Sequence, residues 1–152
     1  MKNSPLQLER IFLTAVHLDA KPEAKAPPGI DWRVSSDVTV ASHATDPLRW
    51  KVGLTVNLTC VDAANAPYNG SVSFTGLFAV ADSYPKDKVR FLVETNGPSV
   101  LYGAAREMFA NLTARGPWPM VQLPTQSFYK PQDAKPAPQE PKQGEPQPPA
   151  NG

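Results

Sequence analysis

Cysteine, charged residues and long apolar runs are scarce in this chain of 152 residues, and each scarcity excludes a class of protein. A single cysteine, Cys60, rules out an intrachain disulfide and fits a reducing compartment. Charged residues make up only 19% of the chain and the net charge is +1, which argues against a strongly basic nucleic-acid binder. No stretch has the length of a membrane-spanning helix, and the N-terminus does not resemble a secretory signal peptide. We therefore expect a cytoplasmic protein with no nucleic-acid partner and no membrane insertion.

The side chains that usually carry chemistry are also few and scattered. The two histidines, His17 and His43, have no second histidine or cysteine at ligand spacing, so we expect no metal site and no cofactor. Cys60 ends an apolar pattern and has no basic neighbour to activate it, which predicts a buried side chain and not a nucleophile. Glycine-rich phosphate loops and the common hydrolase motifs are missing. The chain is not expected to be an enzyme, and we assign it no catalytic residues.

Proline, in contrast, is abundant, with 18 residues in the chain. Seven of them lie in residues 131–152, a stretch that contains no aromatic residue, leucine, isoleucine or valine. Such a segment has nothing to bury and is typical of a disordered, partly polyproline-II tail. The sequence therefore predicts two parts, a folded domain at residues 1–130 and a proline-rich tail at residues 131–152.

Alternation of apolar and polar residues predicts four β-strands in the folded part. The clearest runs from residue 50 to 60, and a second covers residues 71–81 after a predicted hairpin loop at 62–70. Two further strands are predicted at residues 6–18 and 32–41. In the first of these, alternation would place five apolar side chains on one face: Leu6, Leu8, Phe12, Val16 and Leu18.

The apolar spacing then changes to that of a helix. Residues 98–115 predict about five helical turns, with Pro98 at the first position and Gly116 at the stop. A separate short helix is predicted at residues 87–94. The long helix would bury an apolar stripe, widened by Tyr102 and Phe109: Leu101, Ala105, Met108 and Leu112.

Four strands followed by one helix predict an α+β fold, in which an antiparallel meander carries one long helix on one face. Four strands make a sheet about 19 Å wide, whereas a helix is only about 10 Å wide. One helix cannot cover such a sheet, so apolar strand positions would remain exposed. Exposed apolar surface of this kind indicates a subunit interface, a binding groove, or both.

Two segments of the predicted helix and the turn after it carry a recognisable motif. Residues 98–107 read Pro-Ser-Val-Leu-Tyr-Gly-Ala-Ala-Arg-Glu, and residues 115–119 read Arg-Gly-Pro-Trp-Pro. At this spacing they resemble the SecB family of protein-export chaperones. Residues 6–12 look like the family's first strand. Asp31-Trp32 and Gly76-Leu77-Phe78 fall where the family has Asp-Trp and Gly-Ile-Phe.

The resemblance implies an ATP-independent holdase that keeps preproteins unfolded and passes them to the SecA motor. It also implies a homotetramer, built as a dimer of dimers, with the long helix at the tetramer interface. The residues of this helix assigned to the interface are Leu101, Met108, Phe109 and Leu112. The candidates for lining or supporting a client groove are Phe12, Trp32, Phe74, Phe78 and Trp118.

Two features depart from the family pattern. The family's second C-terminal helix is not expected here, because residues 128–130 run directly into Pro131 and the proline-rich tail. The family's acidic patch, where SecA docks, corresponds to four positions of which only Asp19 is charged: Ala15, Asp19, Asn69 and Ser71. Asp19 is thus the candidate SecA-docking residue, and we expect weakened electrostatic steering of SecA.

Two other functions stay open at this point. One is a SecB-like chaperone for a dedicated client, such as an antitoxin, without SecA coupling, which the depleted acidic patch favours. The other is an oligomeric binding scaffold that is not a chaperone and does not suppress the aggregation of unfolded proteins.

Overall fold

The computed structural model describes residues 1–24 and 29–131, so the predicted tail from residue 132 onward lies outside the described residues. Four antiparallel strands form one sheet, in the order β1-β4-β3-β2. They are β1 (Leu6–Ala20), β2 (Trp32–Ser42), β3 (Arg49–Cys60) and β4 (Tyr68–Val80). One long helix, α1 (Val89–Thr113), packs on one face of the sheet. The predicted α+β architecture is confirmed.

The two central strands, β3 and β4, carry most of the core. Every second residue of β3 from Trp50 to Cys60 is buried, as alternation predicts for a face under a helix. The link between these strands, residues 61–67, contains a single 3-10 turn at Ala63–Asn65. Asn69 and Gly70 lie inside β4 and not in the hairpin loop, so the predicted loop is too long by its last three residues.

The strand order differs from the predicted meander because β1 pairs with β4 and not with β2. Short links at residues 43–48 and 61–67 make neighbours of β2, β3 and β4. The longer link between β1 and β2 imposes no such pairing. As a result, β1 and β2 form the two edges of the sheet.

Two β-bulges reverse the alternation of β1. The pairing register with β4 shifts between Leu8 and Arg10 and again between Leu13 and Ala15. Each bulge inserts one residue, so the side chains that follow it change faces. Phe12 consequently lies on the face away from the helix, which contradicts the simple alternation expected from the sequence. Six apolar residues of β1 share the helix-facing side: Leu6, Leu8, Ile11, Leu13, Val16 and Leu18.

Helix α1 begins nine residues before Pro98, so the predicted start is wrong and the predicted short helix is its first part. Pro98 removes one helical hydrogen bond, which normally ends or bends a helix. Here Gly97 and Pro98 are both buried against the sheet. A Cβ on Gly97 would lie 2.9 Å from Cγ2 of Val52, so glycine permits this close approach. Packing against the sheet thus offsets the local preference of the sequence.

Tyr68 fixes the turn that follows the helix. Its hydroxyl lies 3.1 Å from the carbonyl oxygens of Thr113 and Trp118, and it accepts a hydrogen bond from the Trp118 backbone N–H. Gly116 sits directly against this ring, and a Cβ there would overlap the hydroxyl. Among the described glycines, only Gly29 has a positive φ. Gly116 is therefore required because a side chain would not fit beside Tyr68, and not because the helix ends in a left-handed conformation.

Residues 119–131 follow the turn as an extended stretch, called here the C-terminal segment, with no helix or strand. Residues 114–131 contain no helix, and the stretch from residue 132, into which the family's second helix would extend, lies outside the described residues. No helix within the described residues is long and apolar enough to cross a membrane.

Candidate functional site

The helix covers the middle of the sheet and leaves both edges of the same face open. Along β1, four apolar side chains that face the helix side remain 37–44% exposed, and we call them the β1 strip: Leu8, Ile11, Leu13 and Val16. These residues are paired with β4 residues such as Phe78 and Val72, whose side chains are fully buried. The core that lies under the helix thus continues along β1 as an apolar surface that the helix does not cover.

The opposite edge, β2, presents a second apolar surface on the same face. Trp32 and Val40 are half-buried there, and Val38 is 39% exposed. The C-terminal segment lies beside this strand, where the Ser36 hydroxyl donates to the Gln126 side-chain oxygen at 2.8 Å. The space beside β2 is therefore narrowed by the chain's own C-terminal segment but not filled.

Two side chains of α1 anchor the C-terminal segment. The Tyr102 hydroxyl donates to the Pro124 carbonyl at 2.7 Å, and Arg106 Nε donates to the Leu123 carbonyl at 3.0 Å. Burial raises the pKa of Tyr102, and the nearby positive charge of Arg106 opposes this rise. Leu123 itself is fully buried, so the segment is held by both packing and hydrogen bonds.

Beyond this anchor, the segment is held by aromatic contacts. The rings of Phe128 and Tyr102 meet edge to face with centroids 5.8 Å apart, and Tyr129 meets Phe91 in the same way at 5.8 Å. Such contacts are worth about 1 kcal/mol each beyond the burial of area. Aromatic rings thus form the outer wall of the space beside β2, and this wall contains no β-strand.

The resulting cavity, called here the β2 groove, has a volume of about 580 Å³. One wall is α1, where Arg90 and Glu94 form an ion pair of 2.8 Å. The floor is β2, whose outer edge has no strand beside it in the described part of the chain. Its lining is mixed, and the apolar and aromatic members are Val38, Val40, Phe91, Phe128 and Tyr129.

The five aromatic residues predicted for a groove do not converge in one place. Phe12 lies on the other face of the sheet, while Phe74 and Phe78 are buried beneath the helix side. Trp118 lies after the helix, where its Nε1 donates to the Lys21 carbonyl at 2.8 Å. Trp32 is the one that shares a strand face with Val38 of the groove.

The helix residues predicted for an oligomer interface divide into two pairs. Leu101 and Phe109 are fully buried against the sheet within the chain, so they have no surface to offer a partner subunit. Met108 and Leu112 keep partial exposure. The prediction of an interface on this helix therefore stands on Met108 and Leu112, and the other two residues belong to the core.

The four positions matched to an acidic patch do lie together on the outer face of the sheet. Asp19 is directly opposite Asn69, and Ser71 is opposite His17 on the neighbouring pair. The Asp19 carboxylate is 2.8 Å from Nε2 of His17, and both side chains are mostly exposed. The one remaining carboxylate of this patch therefore has a histidine beside it.

Sequence reasoning missed the β1 strip and most of the β2 groove. A signal for the strip was present, because Ile11 and Leu13 are apolar residues on the opposite face of the predicted alternation of β1, which indicates cover on both faces. Nothing in the sequence locates the C-terminal segment beside β2. Cys60 is buried as predicted, and its thiol donates to the Asp62 carbonyl. Across residues 1–24 and 29–131, no cluster of three potential metal ligands is found.

These features define an α+β protein built for binding, in which one sheet face offers apolar surface on both sides of a single helix. A family model described as preprotein translocase subunit SecB matches residues 2–132. The chain belongs to the SecB family of protein-export chaperones, which confirms the resemblance seen in the sequence.

Two similar proteins are named protein-export protein SecB, from Psychrobacter arcticus and Psychrobacter cryohalolentis. Each is 28% identical over 130 residues; the match covers 81% of this chain, and 82% and 81% of the two relatives. A solved structure with a similar fold is a Mycobacterium tuberculosis SecB-like chaperone in complex with a ChAD peptide from the HigA1 antitoxin. It has a TM-score of 0.64 at 20% identity and covers 81% of this chain and 91% of its own.

Proposed function

We propose that this chain is a cytoplasmic, ATP-independent holdase that binds unfolded preproteins in the β2 groove. The observation that carries the proposal is the open cavity beside β2, which is lined by the exposed Val38 and by the aromatic rings of the C-terminal segment. An unfolded client loses exposed apolar surface when it enters such a groove, so binding requires no chemical step. We assign no catalytic residue and no cofactor.

Extended clients suit this groove for a geometric reason. The free edge of β2 offers backbone N–H and C=O groups to which another extended chain can hydrogen-bond. Backbone pairing is independent of client sequence, while apolar side chains of the client would contact Val38, Val40 and Phe128. Several weak contacts along one client raise the overall affinity through multivalency.

A homotetramer, assembled as a dimer of dimers, is the second part of the proposal. The β1 strip is an exposed row of four apolar side chains on an edge strand, which is a hazard for an isolated protein unless another surface covers it. A second copy of the same strip would cover it symmetrically in a closed dimer. The partly exposed Met108 and Leu112 are candidates for contact between dimers.

The test of holdase activity is light scattering from a chemically unfolded secretory precursor after dilution, without ATP. We expect the full chain at equimolar concentration to suppress most of the scattering. Scattering that is unchanged by the chain would favour an oligomeric scaffold that is not a chaperone.

Delivery to SecA is the part of this function with the least support from the surface charges. Docking of a basic SecA segment would use Asp19, whose carboxylate is close to His17, and three neutral neighbours: Ala15, Asn69 and Ser71. This depletion favours a second candidate function, a SecB-like chaperone for a dedicated client such as an antitoxin, without SecA coupling. The mycobacterial chaperone of similar fold was solved with an antitoxin peptide.

SecA binding separates these two candidates. Sedimentation of the chain with SecA should show a complex at low salt that weakens several-fold in Asp19→Asn, if delivery to SecA is the function. Restoring negative charge with Ala15→Glu and Ser71→Glu should strengthen that complex. A chain that suppresses aggregation but does not bind SecA, even with the added carboxylates, would favour the dedicated-client function.

A further inference from the structure

A second cavity opens on the outer face of the sheet, at the end opposite Asp19. Its volume is about 520 Å³, and it lies where the start of β3 meets the ends of β2 and β4. We call it the outer cleft, and its lining includes Glu9, Ala41, His43, Arg49, Lys51 and Leu77. Neither the client groove nor the patch around Asp19 uses any of these residues.

Two cations stand on either side of an apolar side chain at this cleft. Arg10 of β1 and Lys51 of β3 are both direct partners of Leu77 in β4, so all three side chains share the outer face. Among the described residues, neither Arg10 nor Lys51 has a carboxylate within ion-pair distance. Their charges are therefore available to a partner.

Arg49, the third cation of the cleft, is already neutralised. It forms an ion pair of 2.8 Å with Glu9, and the Asp46 carboxylate lies 3.5 Å from its Nε. The uncompensated positive charge thus comes from Lys51, which lines the cleft, and from Arg10, which adjoins the cleft as the β1 partner of Leu77.

The first bulge in β1 determines which side chains of this strand lie on the outer face beside Leu77. By adding a residue at Glu9, it turns Arg10 and Phe12 to the outer face while Leu8 stays on the helix side. The Arg10 guanidinium lies 5.1 Å from the centroid of the Phe12 ring, which orients the cation along the sheet surface. The cleft therefore has the apolar side chain of Leu77 in its lining, with the exposed cations Arg10 and Lys51 on either side of it.

We propose that the outer cleft binds an acidic segment of a partner protein, with an apolar side chain against Leu77 and carboxylates beside Arg10 and Lys51. Charge complementarity argues for this occupant. A nucleic acid fits less well, because its affinity depends on neutralising many phosphates and only two available cations are present. This surface goes beyond the proposed holdase function. It would bind a negatively charged segment, whereas SecA docking at Asp19 would involve a positively charged one.

The test uses fluorescence anisotropy of a labelled peptide of alternating glutamate and leucine, titrated with the full chain. We expect Arg10→Glu combined with Lys51→Glu to weaken binding about tenfold or more, and moderate salt to weaken binding to the natural chain. The matched control is Arg33→Glu, which reverses a charge on the same sheet face at its far end and should change affinity less than about twofold.

Several outcomes would overturn the proposal. The first is a loss of peptide affinity with Arg33→Glu that equals the loss with the double reversal. The second is an unchanged peptide affinity in the double reversal. The third is an equal affinity for a peptide that has lysine in place of glutamate. Tighter binding of an oligothymidine would assign the cleft to nucleic acid. Loss of peptide binding in Val38→Asp would place the peptide in the β2 groove. Circular dichroism checks that the double reversal folds. If it does not, the variant Arg10→Gln with Lys51→Gln replaces it, and we expect peptide binding to weaken about threefold or more because both cations are lost.

Discussion

The hydroxyl of Tyr102 donates a 2.7 Å hydrogen bond to the carbonyl oxygen of Pro124 and so joins the long helix to the C-terminal segment. This bond holds one wall of the β2 groove, because the segment continues from Pro124 to the aromatic residues that face β2. The proposed client site therefore depends on a contact between residues from two parts of the chain.

Tyr102→Phe should lower the free energy of unfolding by about 1 kcal/mol at neutral pH, since it removes this hydrogen bond and keeps the ring. The pKa of Tyr102 is raised above its ordinary value of 10.0 by burial, so the folded state favours the neutral phenol. That stabilisation is fully present below the ordinary pKa and is lost as pH rises through the raised pKa.

The gap in stability between the natural chain and Tyr102→Phe should consequently narrow at alkaline pH. Urea unfolding at neutral pH and at a pH above the raised pKa measures it. A gap that stays constant or widens with pH would contradict the assignment of Tyr102 as a buried donor.

Gly116→Ala should destabilise the protein by about 1–3 kcal/mol, because the added methyl group overlaps the Tyr68 hydroxyl. Gly103→Ala is the matched control. Gly103 is exposed on α1, and a Cβ added there would meet nothing within 4 Å, so alanine should stabilise the helix by up to about 1 kcal/mol. Thermal melts of both variants should shift in opposite directions, and a shared direction would count against steric exclusion at this turn.

Val38→Asp should weaken binding of an unfolded precursor about tenfold, because a client would then have to desolvate a carboxylate in the β2 groove. Thr39→Asp is the control, since the next residue of the same strand points to the outer face. Binding is measured by anisotropy of a labelled unfolded precursor. Equal losses in both variants would show that the client does not lie in the groove.

Leu13→Asp should dissociate the proposed dimer, because it places a charge in the centre of the β1 strip. Ala15→Asp, on the opposite face of the same strand, should leave the mass unchanged. Sedimentation velocity gives the mass of each variant. A Leu13→Asp protein with the mass of the natural chain would exclude the strip as the subunit interface.

The strands could be predicted from sequence because they are half-buried, as in β3, where Trp50 to Cys60 alternate between core and solvent. The bulges in β1 could not, since they depend on the pairing of β1 with β4 and not on local preference. Pro98 misled the prediction of the helix start for a similar reason, because burial against the sheet overrides its effect on the helix.

The binding surfaces were harder to predict than the fold. Phe78 and Phe12 are aromatic residues of the type that lines a binding groove. However, Phe78 lies in the core and Phe12 lies on the outer face of the sheet. Composition does not say which face a side chain occupies. The β2 groove also needs Phe128, which reaches it only through tertiary contacts such as that with Tyr102.

The most direct test of holdase function is the solution mass of the full chain by light scattering, with and without an equimolar unfolded secretory precursor. We expect an assembly of about four chains of 16.5 kDa that gains the mass of the precursor. In Val38→Asp, the assembly should persist and gain much less precursor. A mass that the precursor leaves unchanged in the natural chain would contradict the proposal that this protein holds unfolded clients.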